Sequence, residues 1–124
     1  MKKLNIIAFA PHADDVEIAM GGTIARYVDE GHNVTIVTAI IPIENVKGDI
    51  DTFMSSNRLN EQKNAAAILG ANLDVMNLDP YEFDYNRKFI KIFYEIINFY
   101  KPDLILSCLD HVKHQDHTKL AQIL

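Results

Sequence analysis

Hydrophobic residues recur along the chain in four short runs, and longer stretches with a helical spacing of apolar positions separate them. The runs are LNIIAFA at 4–10, VTIVTAI at 34–40, LDVMNL at 73–78 and LILSCL at 104–109. Mostly continuous apolar runs of this length are typical of strands that are buried on both faces of a parallel sheet. The pattern therefore predicts strands that alternate with helices.

The stretch after the first run carries the signals that start and stop a helix. We expect this helix to run from about Val16 to Glu30, with Asp14 or Asp15 near its N-cap. Gly31 follows its last turn, where glycine commonly ends a helix.

Two further helices are predicted before the third and fourth runs. One ends at Gly70, and the other covers residues 86–100 before Pro102. An apolar stripe on this last helix is assigned to the core: Phe89, Phe93, Ile96 and Tyr100. Residues 119–124 resemble the start of a fourth helix, and the polar segment 42–51 is a candidate flexible flap.

This order of elements predicts an α/β fold, a Rossmann-like doubly wound parallel sheet with helices on both faces. The expected strand order begins 3-2-1-4. The first and fourth strands are then neighbours at the switch point, where ligands bind at the carboxyl ends of the strands. The 124 residues fit one domain, 1–124.

The composition narrows the classes of partner. The chain is 48% hydrophobic and 23% charged, as in ordinary globular proteins, and its net charge of -5 disfavours a nucleic acid partner. No apolar stretch approaches the roughly 20 residues of a membrane-spanning helix, so no membrane partner is expected. The single cysteine, Cys108, excludes an intrachain disulfide framework and fits a reducing compartment, so we expect a cytoplasmic protein. The sequence leaves open whether the protein forms a homo-oligomer.

Two clusters of histidine and aspartate follow the strands that should be neighbours. PHADD at 11–15 follows the first run, and DHVKHQDH at 110–117 follows the fourth. Zinc in hydrolytic sites takes three protein ligands from histidine nitrogen and carboxylate oxygen and keeps one position open. His12, Asp15 and one histidine of the second cluster meet that count. Asp14 is then left as a candidate general base.

Each cluster also has a structural interpretation. The first can be a helix N-cap with a spare surface carboxylate. Each histidine of the second cluster can be a solvated loop residue; these are His111, His114 and His117. His32, in the turn before the second run, is expected at the surface.

The motifs also follow the order found in a known family. HADDVEIAMGGTIA at 12–25 is similar to a His-Pro-Asp-Asp-x-Glu motif with a glycine pair, and an R-x-x-E helix follows at 58–61. KPDLILS at 101–107 and HQDH at 114–117 complete the match. The chain thus resembles the LmbE-like, or N-acetylglucosaminyl-phosphatidylinositol de-N-acetylase, family of zinc-dependent N-deacetylases.

The resemblance implies removal of the acetyl group from an N-acetylglucosamine-type sugar or sugar conjugate. It also implies a role for six residues: His12, Asp15 and His117 as ligands of Zn²⁺, Asp14 as general base, His114 as the cation that steadies the oxyanion, and Arg58 as a substrate contact. Arg58 has an equally simple interpretation as a surface residue paired with Glu61 or Gln62. Gly21 and Gly22 are expected to be close-packing glycines.

The chain departs from the family pattern in two respects. Ala13 and Gln115 stand where the family has proline, which leaves the ligands in place and loosens both loops. The chain is also short for the family, so we expect it to be the N-terminal portion of a longer domain.

Two rival functions come from other classes. One is a metal- or nucleotide-binding Rossmann-like module without deacetylase activity, although no G-x-G-x-x-G or phosphate-binding loop follows the first strand. The other is a catalytically idle fragment that only binds metal or a partner chain.

Overall fold

A four-stranded parallel sheet forms the centre of the protein in the computed structural model. Its strands are β1 (Asn5–His12), β2 (Asn33–Ile40), β5 (Asn72–Val75) and β6 (Leu104–Leu106). The spatial order is β5-β2-β1-β6, so the third, second, first and fourth predicted runs are neighbours as expected. The structure describes residues 2–41, 43–44, 47, 49–108 and 114–124.

Four helices connect or follow these strands: α1 (Asp15–Asp29), α2 (Thr52–Leu69), α3 (Arg87–Tyr100) and α4 (Gln115–Ile123). The helix α4 begins four residues before the predicted start at 119, so the HQDH motif lies on its N-cap and first turn. Within the candidate flap, β3 (Ile43–Glu44) pairs antiparallel with β4 (Ile50–Asp51). Among the described residues, no helix is long and apolar enough to cross a membrane.

The sheet buries both of its faces because successive side chains of a strand point to opposite sides. One face packs against α3 and α4 in a cluster that includes Ile7, Phe9, Val37, Phe89, Phe93 and Leu120. The other packs against α1 and α2 in a cluster that includes Ile6, Ala8, Ile36, Val16, Ile24 and Ala66. Helices on both faces confirm the doubly wound architecture, and the α3 stripe lies in the core as predicted.

His32 is buried, so the expectation of a surface position is wrong. Only 9% of the residue is exposed. Its Nδ1 accepts a hydrogen bond from the backbone N–H of Leu4 at 3.0 Å, and its ring packs edge-on against Tyr27. The imidazole thus accepts the backbone N–H of a residue just before β1. Without the buried ring, this N–H would have to bond to water.

The glycine pair of α1 is not closely packed, which also corrects an expectation. A Cβ atom added to Gly21 or Gly22 would meet nothing within 4 Å among the described residues. The helix is instead interrupted next to them, because Met20 has φ of -143° and leaves the helical conformation.

Two glycine-to-alanine substitutions should have opposite effects on stability. Gly70 ends α2 with φ of +78°, and an added Cβ would lie 2.8 Å from Cγ1 of Val28. Gly70→Ala should therefore lower the free energy of unfolding by about 1–2 kcal/mol or more, from left-handed strain and the clash. Gly22→Ala, in open space on a helix, should leave it unchanged or raise it by up to about 1 kcal/mol. Urea denaturation of both variants measures the difference, and equal stabilities would contradict this packing of α2 on α1.

Candidate metal centre

The pairing of β1 with β6 brings the two histidine and aspartate clusters together. Ile6 lies opposite Leu104 and Ala8 opposite Leu106 in this parallel pair. The strand β1 ends at His12, and α4 starts at the same end of the sheet with His114 as its N-cap. Asp110 and His111, the first residues of the second cluster, lie outside the described residues.

The turn between β1 and α1 separates the roles of the two adjacent aspartates. Asp14 has φ of +73°, in the left-handed region, and occupies the N-cap position of α1 without a capping bond from its side chain. Oδ2 of Asp15 instead turns back and accepts the backbone N–H of His12 at 2.8 Å. The simple capping interpretation therefore does not describe this turn, because neither carboxylate caps the helix.

Three side chains have the spacing of a tetrahedral zinc site. Oδ2 of Asp15 lies 3.5 Å from Nδ1 of His12 and 3.4 Å from Nε2 of His117. The ligand atoms of this triad all lie within 4.8 Å of one another. Ligands bound to zinc at about 2.0–2.2 Å in tetrahedral geometry are about 3.3–3.6 Å apart. The residues present therefore fit zinc as a set of three protein ligands.

A second group of three, His12, His114 and Asp116, fits a metal less well. Nε2 of His12 is only 2.8 Å from Oδ2 of Asp116, which is a hydrogen-bond length and shorter than the separation of two zinc ligands. Nδ1 of His114 already accepts the backbone N–H of Asp116 at 3.1 Å. The geometry thus favours the triad that contains Asp15 and His117.

His12 lies between two carboxylates, and they control its charge. Burial is the largest single influence and lowers the pKa of His12, but the hydrogen bonds and charges of Asp116 and Asp15 together outweigh it. They raise the pKa of His12 from 6.5 to about 9. Without metal, the site is therefore held together at neutral pH by an imidazolium between two anions.

The other members of the cluster shift in the complementary direction. Burial raises the pKa values of Asp15 and Asp116, but their bonds to His12 outweigh burial and lower both. Burial lowers the pKa of His117, and the positive charge of His12 lowers it further against the attraction of Asp15. The positive charge thus resides on His12, and His117 keeps a free lone pair at neutral pH.

The two aspartates face different cavities. Asp15 and His117 line a largely apolar cavity of about 370 Å³ together with Cys108. Asp14 lines a smaller cavity of about 150 Å³ between α1 and α2, together with Arg58 and Glu17. Cys108 lies two residues after the end of β6, and its thiol donates to the carbonyl of His117 at 3.2 Å.

Arg58 lines the same cavity as Asp14 and is not paired with Glu61 or Gln62. Within the described part of the chain its guanidinium makes no hydrogen bond or ion pair, and Glu61 accepts instead from Asn57 at 3.5 Å. Gln62 is buried and donates to Thr38 at 2.7 Å and to Glu17 at 3.2 Å. Arg58 is thus available to a molecule in the smaller cavity.

Sequence reasoning assigned no role to two buried polar residues of this region, Asp116 and Gln62. Asp116 follows Gln115 on the first turn of α4 and contacts His12. The sequence signal for Asp116 was its position between two histidines, His114 and His117, within one helical turn. Gln62 gave no signal, because a glutamine on a helix is ordinarily a solvated residue.

The fold and the site define an α/β protein with two histidines and an aspartate grouped as a candidate metal centre at the switch point of its sheet. The chain belongs to the GlcNAc-PI de-N-acetylase family, PIG-L, whose profile matches residues 7–124. The LmbE-like resemblance of the sequence is thereby confirmed.

Individual relatives agree with this assignment. A diacetylchitobiose deacetylase of Thermococcus kodakarensis is 28% identical in an alignment of 121 positions that covers 90% of this chain and 44% of that protein. The structure of the N,N'-diacetylchitobiose deacetylase from Pyrococcus horikoshii, complexed with its inhibitor MPG, superposes with a TM-score of 0.83 at 25% identity. That match covers 95% of this chain and 46% of the other. The chain thus spans less than half the length of these two relatives.

The same fold also occurs in a protein named for another reaction. The 4-carboxy-2-hydroxymuconate hydratase from Pseudomonas putida superposes with a TM-score of 0.81 at 21% identity, over 99% of this chain and 54% of that one. The fold alone therefore does not decide the reaction, and the side chains of the site have to do so.

The metal-free protein should lose stability as the pH rises through 9. The folded pKa of His12 is about 9 against an ordinary 6.5, so its stabilisation is complete below about 6.5 and is lost through the folded pKa. The shift corresponds to about 3 kcal/mol. Asp15 and Asp116 have lowered pKa values, so their contribution is present above about 4 and is lost at more acid pH.

Chemical denaturation in EDTA between pH 5 and 10 measures this profile. His12→Gln should flatten the alkaline limb. A wild-type profile that stays flat from pH 6.5 to 9.5 would show that His12 does not carry the charge.

Proposed function

We propose that this chain forms the metal-binding part of a zinc-dependent hydrolase that removes the N-acetyl group from an N-acetylglucosamine-type sugar or sugar conjugate. One observation supports it most directly. A triad with zinc spacing includes Asp15, and the preceding residue, Asp14, has a carboxylate that does not cap the helix and is left for another role. Deacetylase relatives add support from the comparison of sequences.

In this proposal His12, Asp15 and His117 hold the zinc ion. Zinc supplies Lewis-acid chemistry when bound, since it polarises a carbonyl oxygen and makes water more acidic. The chain contributes ligands that are already grouped. It also contributes the N-termini of α1 and α4, whose partial positive charge favours an anion at this end of the sheet.

Asp14 and His114 divide the proton transfers and the charge stabilisation. Asp14 accepts the proton of the attacking water and returns it to the leaving amine. Because Nδ1 of His114 accepts a backbone N–H, the ring is neutral rather than the expected cation, and the proton that it can donate is on Nε2. That nitrogen stabilises the negative charge that develops on the carbonyl oxygen.

Substrate recognition is proposed for the cavity between α1 and α2. It opens at Asp14, and Arg58 contributes unpaired donors there within the described part of the chain. A sugar presents hydroxyl groups that accept such hydrogen bonds. The domain assignment 1–124 as a portion of a longer deacetylase domain belongs to the same proposal.

Changing each of the adjacent aspartates to asparagine should affect zinc binding and turnover differently. Asparagine tolerates the left-handed conformation of residue 14 as well as aspartate does. Asp14→Asn should keep about one zinc per chain and lose turnover by about 10²-fold or more. Asp15→Asn should lower zinc affinity by at least about tenfold, because a ligand loses its charge.

Elemental analysis after dialysis and titration with a fluorescent zinc chelator give the two readouts, and His117→Ala serves as the positive control for metal loss. Reversed phenotypes of the two aspartates would exchange their roles.

The reaction itself is tested with the zinc-loaded protein and two substrates, N-acetylglucosamine and N,N'-diacetylchitobiose. New primary amine, detected with fluorescamine, should appear together with an equal amount of acetate. EDTA should abolish both products because it removes the metal, and Asp14→Asn should reduce both by about 10²-fold or more because it removes the base.

A zinc-loaded protein that released no amine from either sugar but cleaved a phosphoester or hydrated a double bond would overturn the deacetylase proposal. It would leave the metal centre in place. A protein that bound zinc and cleaved nothing would favour the idle metal-binding module.

A further inference from the structure

Asp116 is a buried carboxylate to which the proposed reaction gives no role. Only 5% of the residue is exposed, although it lies on the first turn of α4 at the end of the sheet where the metal centre is. Burying a carboxylate is costly unless hydrogen bonds and charges compensate. We therefore expect the negative charge of Asp116 to have a role at this position that a neutral side chain could not fill.

The N-terminus of α4 and two histidines surround this carboxylate. Its position on the first helical turn favours a negative charge. Oδ2 lies 2.8 Å from Nε2 of His12 and 3.9 Å from Nδ1 of His114. The backbone N–H of Asp116 also donates to Nδ1 of His114, which helps to fix the position of the carboxylate relative to both rings.

The contact with His12 determines which ring nitrogen carries a proton. An ionised carboxylate only accepts hydrogen bonds, so Nε2 of His12 has to be the donor. In the neutral ring the lone pair is then on Nδ1, the nitrogen that faces Asp15 at 3.5 Å. The ring thus presents its free lone pair to the triad with zinc spacing and its N–H to Asp116.

We propose that Asp116 is a positioning residue of the metal centre, which fixes the tautomer and the ring orientation of His12 so that Nδ1 is the ligand atom. The inference rests on the proposed metal site but not on the deacetylase reaction. Carboxylates that accept from a metal-bound histidine commonly raise metal affinity 10–100-fold. Asp116 itself stays outside the coordination sphere, because its oxygen is at hydrogen-bond distance from the ring.

Zinc affinity tests this role without any substrate. The dissociation constant is measured by competition with a fluorescent zinc chelator for the wild type, Asp116→Ala and Asp116→Asn. Asp116→Ala should bind zinc about 10–100-fold more weakly, because Nε2 loses its partner. Asp116→Asn keeps a carbonyl acceptor without the charge and should fall between the wild type and the alanine variant.

A matched carboxylate provides the control. Asp103 accepts the backbone N–H of Asn5 at 2.8 Å, just before the first residues of β6 and far from the metal centre. Asp103→Ala should lower the stability of the metal-free protein without changing the zinc dissociation constant. Circular dichroism of each metal-free variant at the titration temperature ensures that folded proteins are compared, and Asp116→Asn carries the test if Asp116→Ala is unfolded.

The outcomes separate this inference from the proposed function. A dissociation constant of Asp116→Asn and Asp116→Ala within twofold of the wild type would overturn it, as would a wild type that binds no zinc. If the affinities fall in the expected order while no N-acetyl sugar is cleaved, the positioning role stands and the deacetylase proposal fails.

Discussion

Parallel pairing between β1 and β6 is the contact on which the candidate site depends. It joins residues about a hundred positions apart, and among the described residues three pairs form it, from Ile6–Leu104 to Ala8–Leu106. Because parallel strands end at the same edge of a sheet, this register decides where α4 starts relative to the end of β1. A shift of one residue would turn every side chain of β6 to the other face of the sheet.

The turn after β1, which carries residues of the same candidate site, has a strained backbone. Asp14 has a left-handed backbone, which costs a residue with a side chain about 1–2 kcal/mol. Two hydrogen bonds and the burial of one side chain offset this cost. Asp15 accepts the N–H of His12, the carbonyl of Asp14 accepts the N–H of Ile18, and Ala13 is fully buried. The strained residue is the proposed general base, as is common where function and not stability sets the conformation.

The strands, their order and the meeting of the two clusters could be predicted because they follow from patterns that lie within single segments. Apolar runs identify buried strands, and parallel crossovers allow few strand orders. The misjudged residues depend on neighbours that are distant in sequence. His32 is buried because Leu4 offers it a backbone N–H, and Gly22 is unpacked because no described element lies against it. Asp116 is explained only by the ring of His12.

The metal-free cluster shows how proton and metal compete for the same atoms. Asp15 and Asp116 hold an imidazolium at His12, whose pKa is about 9, so at neutral pH both ring nitrogens carry protons. A metal ligand has to be deprotonated, so at the proposed site a zinc ion would displace the proton on Nδ1 and leave the one shared with Asp116. The two carboxylates therefore do different things to one ring. Asp15 exchanges a proton partner for a metal partner, whereas Asp116 keeps the same hydrogen bond in both states, so the ring need not turn when the metal enters.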